Sequence, residues 1–322
     1  MKKTAAVTCV GEAIVDFVAT DAGTTLSNAK QFLKAAGGAP ANVAVGLARL
    51  GTASAFVGMV GDDSFGKYLA GFLRSEGVDV TGVRFDREKR TRIAFVSLTD
   101  SGGRQFEFWE SRPADEDLRL TLADVRRISL SRFVHISSFM LLNVNARNTV
   151  MRLAKELKKS GTEISFDPNL RLSLWPSPRE ARRTLSGMIA MSDIVKMNME
   201  EASFITGTRS PDAAGLALLR RGPALAVITS AEKGCAFYTR KGSETVPGFD
   251  VQPVDTTGCG DAFLAALLHK LSAEITRIGE LDLPVLRTAC RYANAVGALA
   301  AKAYGAMTVP PPVVVEEFLK VH

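Results

Sequence analysis

The chain has 322 residues, 46% apolar and 23% charged, with a formal net charge of +6, the composition of a globular protein able to bury a sizeable core. No apolar run reaches the roughly 18 residues a membrane-spanning helix needs, so no membrane partner is expected. The basic residues fall in dispersed pairs (Lys158–Lys159, Arg182–Arg183, Arg220–Arg221), not in a stripe interleaved with aromatics, which argues against a nucleic-acid surface.

The opening MKKTAAVTCVGEAIVDF could be mistaken for a signal peptide. Glu12 and Asp16 interrupt its apolar run and no cleavage site follows, so a first strand over 5–11 is the better reading. Further apolar, β-branched runs predict strands over 53–61, 132–138, 163–168, 193–198 and 224–230. Helical periods occupy 40–51, 65–77, 148–161 and 213–222, and each closes on a glycine (Gly51, Gly77, Gly161, Gly222). Strands alternating with helices predict a three-layer α/β fold with a mostly parallel central sheet, one domain over 1–322. One stretch breaks the rhythm. TRIAFVSLTDSGGRQFEFWE (91–110) reads as two alternating strands around Asp100-Ser101-Gly102-Gly103, with Phe106 and Phe108 on one face and Gln105, Glu107 and Trp109 on the other. Inserted segments at 12–35 and 88–113 are therefore expected to form a small β lid, whose apolar face suits pairing with a second copy. Four scattered cysteines (Cys9, Cys235, Cys259, Cys290) with no C-x-x-C pair fit reduced thiols and a cytoplasmic location.

Candidate chemistry concentrates in four segments. DTTGCGDAFLAALLHKL (255–271) opens an apolar helix with glycines at 258 and 260 and an acid at 261. A helix N-terminus offers unpaired N–H groups to an anion, and glycines let that anion approach. Asp261 could merely complement the helix dipole, but such a role requires neither two glycines nor two threonines ahead of it. AGGAPANVAVGLARLG (36–51) places Gly37 and Gly38 before Asn42, whose amide can both donate to and accept from hydroxyls; taken alone, the segment is better explained by a tight turn, Pro40 in the first helical turn and a capping Asn. FDPNLR (166–171) ends a strand with Asn169 and Arg171 where open α/β sheets gather ligands, though Asp-Pro-Asn is also ordinary turn chemistry. NMEE (198–201) spaces Asn198 and Glu201 either to organise hydrated Mg²⁺ or to form a capping box.

Two motifs fail. GDDSFGKY (61–68) lacks the small hydroxyl residue of a Walker phosphate loop, having Tyr68 in that place, and no G-x-G-x-x-G follows the first strand. The three histidines (His135, His269, His322) form no zinc-binding pair.

Taken in order, VGEAIVDF, GGAPANVAVGLARLG, FDPNLR, NMEE and DTTGCGDAF resemble the ribokinase-like, or PfkB, carbohydrate kinases across essentially the whole chain, and within them bacterial fructokinases. The resemblance implies ATP-dependent phosphorylation of a primary sugar hydroxyl, with fructose as acceptor; relatives acting on 2-keto-3-deoxygluconate, aminoimidazole riboside, ribose or nucleosides share much of the pattern. It implies Asp261 as catalytic base and the amides of Gly258, Cys259 and Gly260 as anion hole. Asp16, Gly37, Gly38 and Asn42 would hold the sugar, with Asn169 and Arg171 near the acceptor or the transferred phosphate. Lys196, Asn198, Thr229, Gly234 and Asn294 would serve ATP, Asn198 and Glu201 would organise Mg²⁺, and Asp255, Thr257 and Gly305 would form a K⁺ site. Cys259 and Ala231 depart from the pattern, which usually has alanine and glycine there. A non-catalytic sugar-binding relative is disfavoured because Asp261 and its glycines are present.

Overall fold

The computed structural model describes residues 5–21, 23–98, 104–109 and 112–322. The chain begins with β1 (Val7–Val10), β2 (Ile14–Ala19), β3 (Phe32–Gly37) and α1 (Ala39–Arg49). It continues through β4 (Ser54–Gly61), α2 (Ser64–Ser75), β5 (Asp79–Asp86), β6 (Ile93–Leu98) and β7 (Arg104–Phe108). Then follow α3 (Leu122–Ile128), β8 (Phe133–Ser137), α4 (Val144–Ser160), β9 (Glu163–Asp167) and α5 (Pro178–Ile189). Next come β10 (Ile194–Asn198), α6 (Met199–Thr206), α7 (Pro211–Leu219), β11 (Leu225–Thr229), β12 (Gly234–Thr239) and β13 (Gly242–Pro247). Three helices close the chain: α8 (Cys259–Ser272), α9 (Leu283–Ala300) and α10 (Pro312–Val321).

Among the described residues the central sheet has nine strands in the order β13-β12-β11-β10-β9-β8-β1-β4-β5. It is parallel from β11 to β5, and the hairpin β12–β13 adds an antiparallel edge. Its inner strands β1, β8 and β9 are buried at every position, as a sheet covered on both faces requires. One covering layer holds α1, α2, α8, α9 and α10; the other holds α3 to α7. Gly51, Gly77 and Gly161 take positive φ (87°, 85° and 77°) where α1, α2 and α4 end, while Gly222 lies two residues beyond the cap of α7.

Strands β12 and β13 were not expected from sequence, although two alternating runs meet there at Arg240-Lys241 before Gly242. Edge strand β5 was also missed, because its solvent-facing polar residues break the apolar run.

The second sheet has the order β3-β2-β6-β7. The hairpin expected over 91–110 is the antiparallel pair β6–β7; β2 joins β6 in parallel, and β3 pairs antiparallel with β2. The loop Asp100 to Gly103 lies outside the described residues. Register sets the faces of this sheet. Ala35, Asp16, Ala94 and Phe108 form one cross-strand row, and Leu33, Val18, Val96 and Phe106 the next. The other face carries Phe17 and Phe95, stacked at 5.4 Å, with Trp109 edge-on to Phe95 at 5.9 Å.

Candidate active site

A cavity of about 1040 Å³ opens at the carboxyl ends of the parallel strands and runs under the small sheet. Asp16, Gly38, Asn42, Asn169 and Arg171 line it, together with Lys196, Asn198, Glu201, Thr229, Gly234 and Asn294. So does the segment from Thr257 to Asp261 that opens α8, whereas Gly37, Asp255 and Gly305 do not line it, though their chain neighbours Gly38, Thr256 and Ala306 do.

Helix α8 begins at Gly258, whose φ of 71° is left-handed and whose missing side chain leaves room for the Ala306 carbonyl. Among the described residues the N–H groups of Gly258, Gly260 and Asp261 meet no protein acceptor; that of Cys259 makes one long bond, 3.4 Å, to the Thr256 carbonyl. Three of the four amides therefore stay open to an anion at the positive end of a buried helix.

Asp261 is 8% exposed and accepts a 2.7 Å hydrogen bond from Asn42 Nδ2. Burial pushes its carboxyl up to about 6; the Asn42 bond opposes the rise, Asp167 adds to it, and Lys196 and Arg171 hold it down. Asn42 itself is buried, and its Oδ1 has no donor among the described residues. A buried amide oxygen left without a donor is costly, and the residue that carries it lines the cavity.

The opposite wall is built on β9 and β10. Asp167 Oδ2 accepts from Lys196 Nζ at 2.8 Å, and Asp167 Oδ1 accepts from the Asn169 N–H at 3.0 Å. Burial disfavours the Lys196 ammonium, but Asp167 and then Glu201 outweigh it and hold its pKa up. Gly260 has no side chain because Lys196 Nζ would stand 2.8 Å from a β-carbon there, so the ammonium lies against the mouth of α8. Asn169 is turned into a left-handed conformation (φ 39°).

Asn198 and Glu201 form a complete capping box. Asn198 Oδ1 accepts from the Glu201 N–H at 2.8 Å, and Glu201 Oε2 from the Asn198 N–H at 2.9 Å. Glu201 Oε1 takes the Leu170 N–H at 2.6 Å, tying the Asp167–Arg171 loop to α6. Both Glu201 oxygens are thus engaged, and no group of three or more metal-ligating side chains occurs among the described residues. These residues suit an ion that keeps its waters and arrives on phosphate oxygens, not a closed protein cage.

At the far end, Thr229 Oγ1 donates to the Met197 carbonyl and Asn294 Nδ2 to the carbonyls of Val246 and Pro247, so both act partly as struts. Asp255 is the centre of a knot: Oδ1 accepts from the Thr257 N–H and hydroxyl (2.9 and 2.6 Å), and Oδ2 from the Gly305 N–H at 3.0 Å.

Sequence reasoning missed two participants. Asp167 was read as turn chemistry, yet it pairs with Lys196. Glu12, 2% exposed, accepts from the Ala39 N–H and the Ser137 hydroxyl, and burial raises its carboxyl to about 8. A buried acid after the first strand, in GEAIVDF, was the available signal.

The pfkB family carbohydrate kinase pattern matches residues 4–312. Fructokinase-1 of Oryza sativa subsp. japonica is 42% identical over 302 residues, covering 94% of this chain and 93% of its own. The fructokinase of Vibrio cholerae O395, solved with fructose, ADP and calcium ion, superposes with a TM-score of 0.86 at 34% identity, covering 98% of this chain and all of the other. The fructokinase of Xylella fastidiosa with bound ATP gives a TM-score of 0.87 at 31% identity, covering 98% of each chain. An open helix mouth facing a buried acid, on a fold shared from end to end with these enzymes, has one consistent reading: the chain belongs to the pfkB family of carbohydrate kinases.

Proposed function

We propose that the protein transfers the γ-phosphoryl group of ATP to a primary hydroxyl of fructose, with Asp261 as the base. The observation that carries this reading is the placement of the buried Asp261 carboxyl beside three helix amides that meet no acceptor among the described residues, in a single cavity. Relatives that match across nearly the whole chain and are named fructokinases support the acceptor.

The sugar binds between the small sheet and α1, where Asp16, Gly38 and Asn42 line the cavity and would meet its hydroxyls. Gly37 lacks a side chain that would strike the Asp16 carboxylate, so that acid can lie flat against β3. Asp261 accepts the proton of the attacking hydroxyl. Charge on the moving phosphoryl oxygens is met by the amides of Gly258, Gly260 and Asp261 and by the Lys196 ammonium, all fixed before reaction begins. ATP lies toward Thr229, Gly234 and Asn294. Mg²⁺, when bound with ATP, neutralises phosphate charge; Asn198 and Glu201 would hold it through water. Asp255, Thr257 and Gly305 would seat K⁺ behind the amides.

The small sheet serves as lid and as dimer interface in this reading. Leu33, 65% exposed, and Phe106, 43% exposed and also lining the cavity, stand in one apolar row that a second copy would cover. Sedimentation at micromolar concentration should give a dimer; a strict monomer contradicts the interface. A cytoplasmic location suits four free cysteines and an ATP-dependent reaction, and no described helix is long and apolar enough to cross a membrane.

The functional test is ADP release with a panel of fructose, ribose, 2-keto-3-deoxygluconate and nucleosides. Fast turnover with fructose is expected. Turnover with ketodeoxygluconate alone would overturn the acceptor assignment.

A further inference from the structure

Next to the sugar end of the main cavity lies a second hollow of about 270 Å³. Phe108 and Phe139 line both spaces, and their ring centroids are 5.5 Å apart, so the two rings form a shared wall. The rings come from different parts of the molecule: Phe108 ends β7 of the small sheet, whereas Phe139 sits in a short turn after β8 of the main body. Among the described residues no backbone hydrogen bond joins these two segments.

A guanidinium does. Arg92 lies 4.7 Å from the Phe139 ring centre and 5.6 Å from that of Phe108, and it is 8% exposed. Its Nε and Nη2 each reach Asp115 Oδ2 at 3.0 Å, and Nη2 reaches Glu116 Oε1 at 3.2 Å. Asn143 Nδ2 fixes the other Glu116 oxygen at 3.0 Å. Arg92 stands at the root of β6, where its carbonyl takes the Val15 N–H at 3.1 Å, so it is anchored to both strands of the lid's parallel pair. A buried ion pair gives weak support for stability on its own, because desolvation offsets its attraction. A planar cation over two aromatic faces has a further use: it sets where those rings stand.

We infer that Arg92, clamped by Asp115 and Glu116, holds Phe108 and Phe139 together as the end wall of the acceptor pocket and so limits the length of sugar the enzyme takes. This rests on the reading of the main cavity as a sugar kinase site. Arg92 is a positioning residue in this scheme: it touches the rings, and the rings touch the acceptor. If the wall loosens, the 270 Å³ hollow becomes room for a longer substrate.

The test uses the full chain with two designs. Arg92→Lys keeps the charge but loses the planar fork and the stack. Arg92→Met combined with Asp115→Leu replaces the buried pair by apolar groups, which folds are known to tolerate. Each is assayed at saturating ATP with fructose and with a seven-carbon ketose, and KM for ATP is measured alongside. The KM for fructose should rise roughly three- to thirtyfold, while kcat and the KM for ATP stay within about twofold. The ratio of kcat/KM for the seven-carbon ketose to that for fructose should rise by a similar factor. An unchanged ratio in both variants overturns the inference, as does an equal loss in every parameter, which reports damage to the fold alone. A wild-type chain inert toward every sugar refutes the acceptor-pocket reading itself and this inference with it.

Discussion

Asn42 and Asp261, 219 residues apart in sequence, meet at 2.7 Å: the Asn42 Nδ2 donates to Asp261 Oδ2, while the Asn42 Oδ1 is buried with no donor among the described residues. One amide thus orients the carboxyl proposed as the base. The pairing joins α1 to α8, the two helices that carry the glycine-rich segments at either end of the chain.

Replacing Asp261 by Asn removes the base and keeps its shape. We expect kcat to fall by about 10²–10⁴, with the KM for ATP within twofold of wild type. Stability should follow a definite sign. An acid whose folded pKa is raised to about 6 stabilises the fold below its unfolded value and loses that contribution as pH rises through 6. Thermal melts at pH 8 should therefore show Asp261→Asn at least as stable as wild type. Wild-type turnover in this variant would remove Asp261 from the mechanism.

The same carboxyl should govern the acid limb of the pH profile. Activity requires its ionised form, so kcat/KM should fall about tenfold per unit below roughly pH 6. The Asn42 bond favours the ionised form. Asn42→Ala should move the limb to higher pH and raise the KM for the sugar. A limb that stays put in this variant would show that another group controls it.

Asn198→Ala breaks the capping box of α6, which should cost about 1 kcal/mol. Because Glu201 also grips the Leu170 N–H, the disturbance reaches the Asp167–Arg171 loop. Urea unfolding should show the loss, and the KM for MgATP should rise. A change in KM without any loss of stability would mean that Asn198 acts mainly on the nucleotide.

Ala231 carries a left-handed backbone, φ 47°, at the nucleotide end of the cavity. An L-residue there costs about 1–2 kcal/mol, part of which glycine returns as greater freedom in the unfolded chain. Ala231→Gly should stabilise the protein by up to about 1 kcal/mol and raise its melting temperature by a degree or two. A lower melting temperature would show that the alanine methyl packs usefully.

Local patterns were legible wherever a residue's role depends on its neighbours in the chain. The buried runs that became β1, β8 and β9, the glycine mouth of α8, and the Asn-x-x-Glu at the start of α6 could all be read directly, because strand burial, helix capping and open amides are short-range properties. The alternating residues of 91–110 predicted which side chains share a face, because side-chain alternation along a strand is local as well. Which strands pair is another matter. The parallel contact of β2 with β6 depends on how far apart in sequence two segments can be and still meet, and no local signal encodes it.

Only the tertiary structure decided the partners. Asp167 looked like part of a turn until Lys196 stood 2.8 Å away, and Glu12 looked like a break in an apolar run until burial raised its carboxyl to about 8. Asn42 could have been a cap until Asp261 arrived from the other end of the chain. The physical reason is common to all three. A carboxyl or an amide acquires its function from the dielectric and the charges around it, and those come from segments that sequence alone does not place side by side.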